Sequence, residues 1–411
     1  MDGHEAAVAT IAAEVRHFYD RQEPFRIYHG STNSTRPSAR QRNKTIDTSD
    51  LDHVLEVDVQ AKTVLVEPNV PMDMLVKATL PRGFIPPVVM EFPGITVGGG
   101  FAGTAGESSS FRYGMFEKIV IWFEMVLANG EIIVASKSEN KDLYYEAASS
   151  MGTLGIVTLL ELELIEAQTY VELTYHRVLG VTEALEKIKR LVDDPAIDYL
   201  DGIMFSSQEG VVCSGRLTST ANAQVQRFSR ATDPWFYHHA QTIFSASAPM
   251  QVLESIPLRD YVFRYDRGAF WTGRYAFKYF AVPFNRITRW ILDGFMHARI
   301  MYNALHHSGH SKLYLLQDVA VPFSAAKELA SYVDESLGTY PFWLCPINPT
   351  GQSPQPNFGL FKVRAAEKGR TENLLSFGVW GPGPRGRGCF VEYNRNLEHK
   401  VQALGDPGLY G

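Results

Sequence analysis

The sequence has few cysteines and lacks the local patterns of several protein classes. Its 411 residues include three cysteines, at Cys213, Cys345 and Cys389, far apart and without C-x-x-C spacing. This usage indicates neither a disulfide framework nor a thiolate metal site, and it fits a reducing compartment. No G-x-G-x-x-G lies between a strand and a helix with an acidic residue about twenty positions on, and no G-x-x-x-x-G-K-S/T phosphate loop occurs.

Long apolar runs and an excess of positive charge are also absent. No window approaches eighteen uninterrupted apolar residues, and the N-terminus has no apolar run of the signal-peptide type. The formal net charge of −6 argues against a nucleic-acid partner, because affinity for polyanions comes largely from Lys and Arg. We therefore predict a cytoplasmic protein with no transmembrane anchor, and leave open its peripheral attachment to intracellular membranes. The oligomeric state is not predicted.

The chain is rich enough in apolar residues to form two domains. Hydrophobic residues make up 45% of the sequence and aromatic residues 12%. Residues 1–168 alternate strand and helix signals, beginning with an amphipathic helix that docks on its own domain. From 169 to 411 the pattern becomes that of a second α+β domain, with Trp, Phe, Tyr and Arg dense between 234 and 280. The predicted fold class is α+β.

Most elements of the first domain can be predicted from local patterns. Two β-branched runs around Gln60 to Lys62 indicate a hairpin, and 71–80 indicates a helix with Pro in its first turn. Asn129-Gly130 predicts a second hairpin with a type I′ turn. Further strands are expected at 25–28, 154–165, 171–177, 202–206, 211–216 and 342–346, and helices at 182–192 and 325–337.

The densest signal is a glycine and serine stretch from Gly94 to Gly114. Glycines recur at 94, 98, 99, 100, 103 and 106, and three serines follow at 108–110. Glycine lets backbone N–H groups approach a ligand closely, so the stretch is interpreted as an anion-binding loop for a pyrophosphate. A loop of small polar residues, from His29 to Thr35, follows the first strand. Two such loops in one domain suggest the two ends of one extended anionic cofactor.

These segments together resemble a known family. The motifs are T-V-G-G from Thr96, G-T-A-G-E-S-S-S from Gly103 and Y-G-M-F from Tyr113, followed by E-N-K-D-L-Y-Y from Glu139 and G-T-L-G from Gly152. The chain is similar to the vanillyl-alcohol-oxidase-like (PCMH-type) FAD flavoproteins, and most similar to their Δ24-sterol reductase branch. That resemblance continues at 234–236, 256–259, 270–271, 316–318 and 340–346, and thus spans most of the chain.

The resemblance implies a two-lobed FAD-binding domain (1–168) and an α+β substrate or cap domain (169–411). In the family, a further C-terminal segment returns to the FAD domain, and this sequence stops at Gly411 before it. By position, the implied cofactor residues are His29, Gly30, Ser31, Thr32, Asn33, Ser34, Thr96, Gly98, Gly99, Gly103, Gly106, Ser108, Ser109, Tyr113, Gly152, Gly155 and Ile156. His29 begins the first loop, so capping of the strand is preferred to a flavin link. No metal site is implied.

The same resemblance implies a reaction, with two alternatives left open. NADPH and FAD together would reduce a C=C bond of a bulky apolar substrate, sterol-, terpenoid- or polyketide-like, and a protein acid would protonate the second carbon. The candidates for the acid and for charge stabilisation are Tyr261, Tyr265, Asp318, Arg264 and Arg267. An alcohol oxidase or dehydrogenase is the alternative, and a nonredox flavin-binding cyclase is a third hypothesis.

Three departures qualify the resemblance, and other candidate motifs are weaker. The Arg-His-Thr-Arg segment of the sterol reductases stands here as Arg264-Tyr-Asp-Arg267, Phe111 replaces the histidine after their triple serine, and their N-terminal membrane anchor is lacking. The His306-His307-x-x-His310 pattern has no neighbouring carboxylate or cysteine at ligand spacing, so a solvated helix end is favoured. The Gly- and Pro-rich loop at 381–388 is interpreted as flexible, with a contact to a nicotinamide phosphate as the alternative.

We predict noncovalent attachment of the flavin. Family members with a covalent link carry a histidine where Asn33 or Ser34 stands in this chain. Acid precipitation should therefore leave the yellow colour in the supernatant, as measured by its visible absorbance. Colour retained by the precipitated protein would refute this prediction.

Overall fold

Two compact units make up the chain. The computed structural model describes residues 2–29, 42–244, 249–309, 313–351, 372–384 and 386–405. The first unit contains residues up to Ala105 together with Met115–Ala167. The second contains Gly106–Gly114 and the described residues from Gln168 onward. The short segment 106–114, which the sequence assigns to the FAD domain, thus groups with the second unit.

Helices and short strands alternate along the first unit. The helices are α1 (Asp2–Asp20), α2 (Met72–Thr79), α3 (Val97–Gly103) and α5 (Lys141–Glu146). The strands are β1 (Arg26–Tyr28), β2 (Thr45–Asp47), β3 (Val54–Asp58), β4 (Thr63–Val66), β5 (Phe84–Ile85), β6 (Val120–Leu127), β7 (Ile132–Ser136), β8 (Gly155–Glu163) and β9 (Ile165–Glu166).

An antiparallel sheet of order β3-β4-β8-β6-β7 forms the centre of the first unit. Helix α1 docks on its own unit, as predicted, through a stripe at helical spacing that includes Val8, Ile11 and Val15. Near its start, His4 Nδ1 lies 2.8 Å from Oε1 of the buried Glu67. Apolar burial and this polar contact together hold the helix.

The second unit is larger and has a wider sheet. Its helices are α4 (Ser110–Tyr113), α6 (Val181–Leu191), α7 (Phe236–Thr242), α8 (Leu258–Val262), α9 (Gly273–Tyr279), α10 (Arg286–Ile291), α11 (Ala298–His307), α12 (Ala326–Tyr332) and α13 (Arg387–Ala403). Its strands are β10 (Tyr170–Val178), β11 (Tyr199–Ser206), β12 (Glu209–Thr218), β13 (Gln251–Pro257), β14 (Tyr314–Pro322), β15 (Phe342–Ile347) and β16 (Leu374–Pro382).

The seven strands of this sheet follow the order β13-β10-β12-β11-β15-β16-β14, and every neighbouring pair is antiparallel. Apolar side chains of α6, α12 and α13 pack in one core cluster with strand residues such as Leu200, Leu344 and Phe377. An antiparallel sheet with helices packed in its core is the predicted α+β class. Among the described residues, no helix is both long and apolar enough to cross a bilayer.

Two local predictions need correction. The stretch from Val97 to Gly103 forms helix α3, not a loop, because Thr96 caps it and its glycines allow close packing. The hairpin after β6 is present, but only Gly130 adopts positive φ (77°), so its turn is not type I′. Gly130 N–H donates to Leu127 O, and Leu127 N–H to Glu131 O, which is the pattern of a type I turn with a glycine bulge.

We predict that Gly98→Ala and Gly103→Ala, both in α3, differ in stability. A Cβ at Gly98 would lie 2.7 Å from Cβ of the rigid Pro68, whereas one at Gly103 would meet nothing within 4 Å. Gly98→Ala should therefore lower the free energy of unfolding by about 1–3 kcal/mol. Gly103→Ala should leave it unchanged or slightly raised. Denaturant unfolding of flavin-free protein measures both, and equal stabilities would contradict the packing argument.

Candidate functional site

The start of α3 has its backbone donors already engaged within the first unit. Gly98 N–H donates to Pro68 O at 2.7 Å, and Gly99 N–H donates to the capping Thr96 Oγ1 at 3.1 Å. The N–H groups of Gly98 and Gly99 are therefore not open donors. Their predicted role at a cofactor rests instead on the close approach that their missing side chains allow.

The end of α3 has open space and an unused hydroxyl. An ideal Cβ on Gly103 would meet no atom within 4 Å. The next residue, Thr104, adopts positive φ (49°), and its buried Oγ1 has no hydrogen-bond partner in the described part of the chain. Gly103 and Gly106 do not adopt positive φ, so backbone conformation does not explain why glycine stands at these positions. A buried hydroxyl without a partner beside open space fits a site that accepts a polar ligand.

Segment 106–114 is anchored within the second unit. Ser108 O accepts a hydrogen bond from Leu200 N–H at 2.7 Å, and Ser110 O accepts one from Asn348 N–H at 2.9 Å. Ser108 and Ser109 are almost fully buried. Among the described residues, no acceptor is found for the backbone N–H groups of Gly106, Ser108 and Ser109. Glu107 N–H, which lies between them, donates to Ser110 Oγ at 2.7 Å, so the open donors are Gly106 and the adjacent pair Ser108 and Ser109. Open backbone donors of this kind have the chemistry of an anion-binding nest. Burial raises the pKa of nearby Tyr113, so its phenol stays protonated at neutral pH.

A buried polar cluster lies in the same unit; we call it the Asp201 cluster, consisting of Asp201, Tyr261, Arg264, Tyr265 and Trp343. Oδ2 of Asp201, in β11, accepts hydrogen bonds from Arg264 Nη2 at 2.7 Å, Tyr265 OH at 2.9 Å and Trp343 Nε1 at 3.0 Å. Asp201 is completely buried. Its Oδ1 and Nε of Arg264 have no partner among the described residues. The cluster thus has charge balance but unused hydrogen-bonding capacity.

Aromatic rings enclose the guanidinium of Arg264. Its Cζ lies 4.0 Å from the ring centroid of Tyr261 and 4.6 Å from that of Tyr265. Burial raises the pKa of both tyrosines well above the usual value, so both keep their protons at neutral pH. Among the described residues, Tyr261 OH donates only to Ser108 Oγ, at 3.4 Å. Tyr261 is therefore a protonated, weakly bonded phenol adjoining segment 106–114.

Two predicted catalytic residues have other surroundings. Arg267 donates to Asp293 Oδ1 at 2.6 Å and to the backbone carbonyls of Phe228 and Ala231, which is a structural set of partners. Asp318 lies on β14 and is exposed. The structure therefore brings Tyr261, Arg264 and Tyr265 together. Arg267 has the hydrogen-bond partners of a structural residue, and Asp318 has the exposure of a surface residue.

The remaining predicted cofactor residues are only partly described. Gly30, Ser31, Thr32, Asn33 and Ser34 lie outside the described residues. Burial lowers the pKa of His29, which favours its neutral form. Gly152 adopts positive φ (73°), Gly155 opens β8, and the side chain of Ile156 packs with α1. Cofactor roles at these positions stay predictions.

Asp201 and Thr104 were missed by sequence reasoning. A single acidic residue within the otherwise apolar run Y-L-D-G-I-M-F of β11 was an available signal for Asp201, because an unpaired carboxylate is rarely buried. Thr104 carries no comparable signal.

One side-chain group in the first unit has a metal-ligand composition. The ligand atoms of Asp52, His53 and Glu67 lie within 4.8 Å of one another. His53 Nδ1 is 3.1 Å from Oε2 of Glu67, and His4 contacts the other carboxylate oxygen of Glu67. Ion pairing and hydrogen bonding account for these contacts, so the group supports no metal assignment.

Comparison with known proteins defines the class and then the family. The FAD binding domain family matches residues 6–136, so by class the protein contains an FAD-binding domain. Human Δ24-sterol reductase is 30% identical over 357 residues, covering 84% of this chain and 68% of that protein. The Arabidopsis thaliana Δ24-sterol reductase is 31% identical over 328 residues, covering 75% of this chain and 57% of its own length. The chain belongs to the Δ24-sterol reductase family.

A more distant relative has a different name. Cytokinin dehydrogenase 4 of rice is 26% identical over 151 residues, which is 36% of this chain and 28% of that protein. The shared part is consistent with a common FAD-binding domain.

We predict that Asp201→Ala lowers the stability of the protein by about 3–5 kcal/mol, because Arg264 would remain buried without a counter-charge. The double variant Asp201→Ala/Arg264→Met should regain much of this loss, since it removes both charges. Asp193→Ala, at an exposed turn, is the matched control. Urea unfolding measures all three, and a double variant no better than the single one would contradict the pairing argument.

Proposed function

We propose that the protein is an NADPH-dependent reductase of a C=C bond in a bulky, apolar, sterol-like substrate, with FAD as its cofactor. The similarity to Δ24-sterol reductases over 84% of the chain carries this proposal. The cytoplasmic location predicted from the sequence remains a prediction.

The residues that would hold FAD are those with unused polar groups or open space. In the first unit these are Thr104, through its unpartnered hydroxyl, and Gly103, which leaves room for close approach. In segment 106–114 they are the backbone N–H groups of Gly106, Ser108 and Ser109, which suit phosphate oxygens. FAD, when bound, supplies hydride chemistry, while the protein binds and orients the reactants.

Tyr261 is the residue we assign as proton donor to the substrate carbon. Its phenol is protonated at neutral pH because burial raises the pKa, and its only hydrogen bond among the described residues is the 3.4 Å contact to Ser108. Tyr265 is less suitable, because its hydroxyl already donates to Asp201 at 2.9 Å. Arg264, held by Asp201 against the face of Tyr261, is a positioning residue.

The aromatic surroundings of the cluster support an apolar substrate. Phe270 stacks on Tyr265 with ring centroids 3.9 Å apart and contacts Trp380 at 4.3 Å. Ala269 and Phe270 both adopt positive φ (42° and 59°), a conformation that non-glycine residues rarely hold without a reason. We infer that this strained turn serves to set the aromatic rings beside Tyr265.

A second candidate function is oxidation of an alcohol or another small metabolite. The partial similarity to cytokinin dehydrogenase 4 is the observation that favours it. Mixing the protein with NADPH under anaerobic conditions, and separately with a panel of alcohols, distinguishes the two. Bleaching of the flavin by NADPH supports the reductase, and bleaching by an alcohol with fast reoxidation in air overturns it.

We predict that Tyr261→Phe slows substrate reduction by roughly 10²–10⁴-fold, the usual contribution of a general acid. Flavin content and the rate of flavin reduction by NADPH should be unchanged, because the proton is needed only in the second half-reaction. Tyr175→Phe is the control, since Tyr175, in β10, is as fully buried as Tyr261.

Mass spectrometry of a Δ24-sterol reduced in D₂O gives the complementary test. The product should gain one deuterium at the protonated carbon, because the phenol proton exchanges with solvent. A Tyr261→Phe variant with wild-type turnover would remove Tyr261 from the acid role while leaving the reductase proposal intact.

A further inference from the structure

An unusual surface lies on the second unit between Tyr279 and Phe295. Ten large hydrophobic side chains in the described residues are more than half exposed, and six of them fall within these 17 positions. Monomeric proteins rarely expose such a concentration of apolar side chains without a binding role. The six residues, which we call the 279–295 surface, are Tyr279, Phe280, Ile287, Trp290, Ile291 and Phe295.

Helix α10 exposes its apolar face to solvent, whereas an ordinary amphipathic helix buries that face. Ile287, Trp290 and Ile291 have the i, i+3, i+4 spacing that places them on one face, and all three are exposed. The helix is well formed, because Asn285 caps it with hydrogen bonds to the N–H groups of residues 287 and 288. The exposed apolar stripe is therefore presented by ordered structure.

A half-buried aromatic ring packs against the residues that carry this surface. Phe284, between α9 and α10, contacts Trp235 at 5.3 Å and Phe277 of α9 at 5.2 Å, both edge-on. The guanidinium of Arg289, in α10, lies 5.0 Å from the same ring. Phe284 thus holds α9 and α10 in one layer.

Positive charge predominates around the surface, since Asp293, which lies within it, is paired with the buried Arg267. Residues 268–292 contain no Asp or Glu, although the whole chain has a net charge of −6, and they contain Arg274, Lys278, Arg286 and Arg289. None of these four forms an ion pair within the described residues. Arg286 and Arg289 line a cleft of about 310 Å³ together with Asp233, whose carboxylate is paired with Arg230. The buried Nη1 of Arg289 has no acceptor in the described part of the chain, so this atom is suited to an anionic oxygen.

We propose that the 279–295 surface docks the protein on a membrane that contains anionic lipids. Exposed Trp, Tyr and Phe beside Arg and Lys are the composition of segments that lie in the bilayer interface. In this arrangement the apolar side chains enter the interface, and the arginines of the cleft meet lipid phosphates. A second copy of the chain fits less well, because a two-fold contact would bring the same positive charges together. Docking through this surface requires neither bound flavin nor substrate.

Vesicle binding by the full chain tests the proposal. The protein should sediment with phosphatidylcholine vesicles that contain phosphatidylserine, and much less with pure phosphatidylcholine. Phe280→Ser/Trp290→Ser should lower the partition coefficient by about tenfold or more. Lys278→Glu/Arg286→Glu should lower it by roughly fivefold for each charge. The matched controls are Leu179→Ser/Val391→Ser and Lys189→Glu/Arg190→Glu, exposed residues elsewhere on the unit that should bind as the wild type does.

Fluorescence adds a readout of position. Lipids brominated in their acyl chains should quench tryptophan emission in the wild type, and Trp290→Phe should abolish most of that quenching. No phosphatidylserine-dependent binding, or equal loss in the control variants, would overturn the proposal. Light scattering that shows a dimer for the wild type and a monomer for the Phe280→Ser/Trp290→Ser variant would also overturn the proposal. Sterol-free vesicles and flavin-free protein keep these outcomes separate from those for the proposed function.

Discussion

The second unit depends on one buried carboxylate oxygen. Oδ2 of Asp201 accepts hydrogen bonds from Arg264, Tyr265 and Trp343, which reach it from the segment after α8 and from β15. A buried charge without compensation is strongly destabilising, so each of these contacts is required once Asp201 lies in β11. The carboxylate thereby determines where the side chains of the candidate catalytic segment point.

In this arrangement the residues that position the cluster differ from the residue that we assign as proton donor. Arg264 donates to Asp201 from Nη2 and Tyr265 donates to it from its hydroxyl, whereas Tyr261, whose ring lies 4.0 Å from Cζ of Arg264, keeps a weakly bonded hydroxyl. A proton donor held by packing, with its proton not committed elsewhere, needs little reorganisation when it reacts. The segment Arg264-Tyr-Asp-Arg267 also divides its two arginines between roles, since Arg267 instead binds Asp293 and backbone carbonyls.

The glycines between 98 and 106 have more than one purpose. Gly98 is required by the approach of Pro68, and its N–H is used inside the unit, so it is explained by packing. Gly103, in contrast, borders open space beside the unpartnered hydroxyl of Thr104. A motif that resembles a ligand-binding signature thus contains structural positions and positions free for a ligand, and only their surroundings distinguish them.

The sequence by itself determined the elements that depend on neighbouring residues. The hairpins of the first unit and helix α2 after Pro71 follow from short patterns, because turn chemistry and apolar spacing act over a few positions. The FAD-binding class followed from the resemblance of the sequence motifs to a known family. The proximity of Tyr261, Arg264 and Tyr265 could likewise be expected, since they lie within five residues. Even locally, the helical form of α3 was missed, because tertiary packing against Pro68 outweighs the low helix propensity of glycine.

Only the tertiary structure decided which distant groups meet. Asp201 is separated from Tyr265 by 64 positions and from Trp343 by 142. Segment 106–114 accepts hydrogen bonds from Leu200, 92 positions after Ser108, and from Asn348, 238 positions after Ser110. No local pattern encodes such pairings, because they result from the register of β11, β12 and β15 in the sheet. The exposure of the 279–295 surface was equally hidden, since the same aromatic residues could have formed a core. Burial depends on what packs against a side chain, and that is settled only when the whole unit has folded.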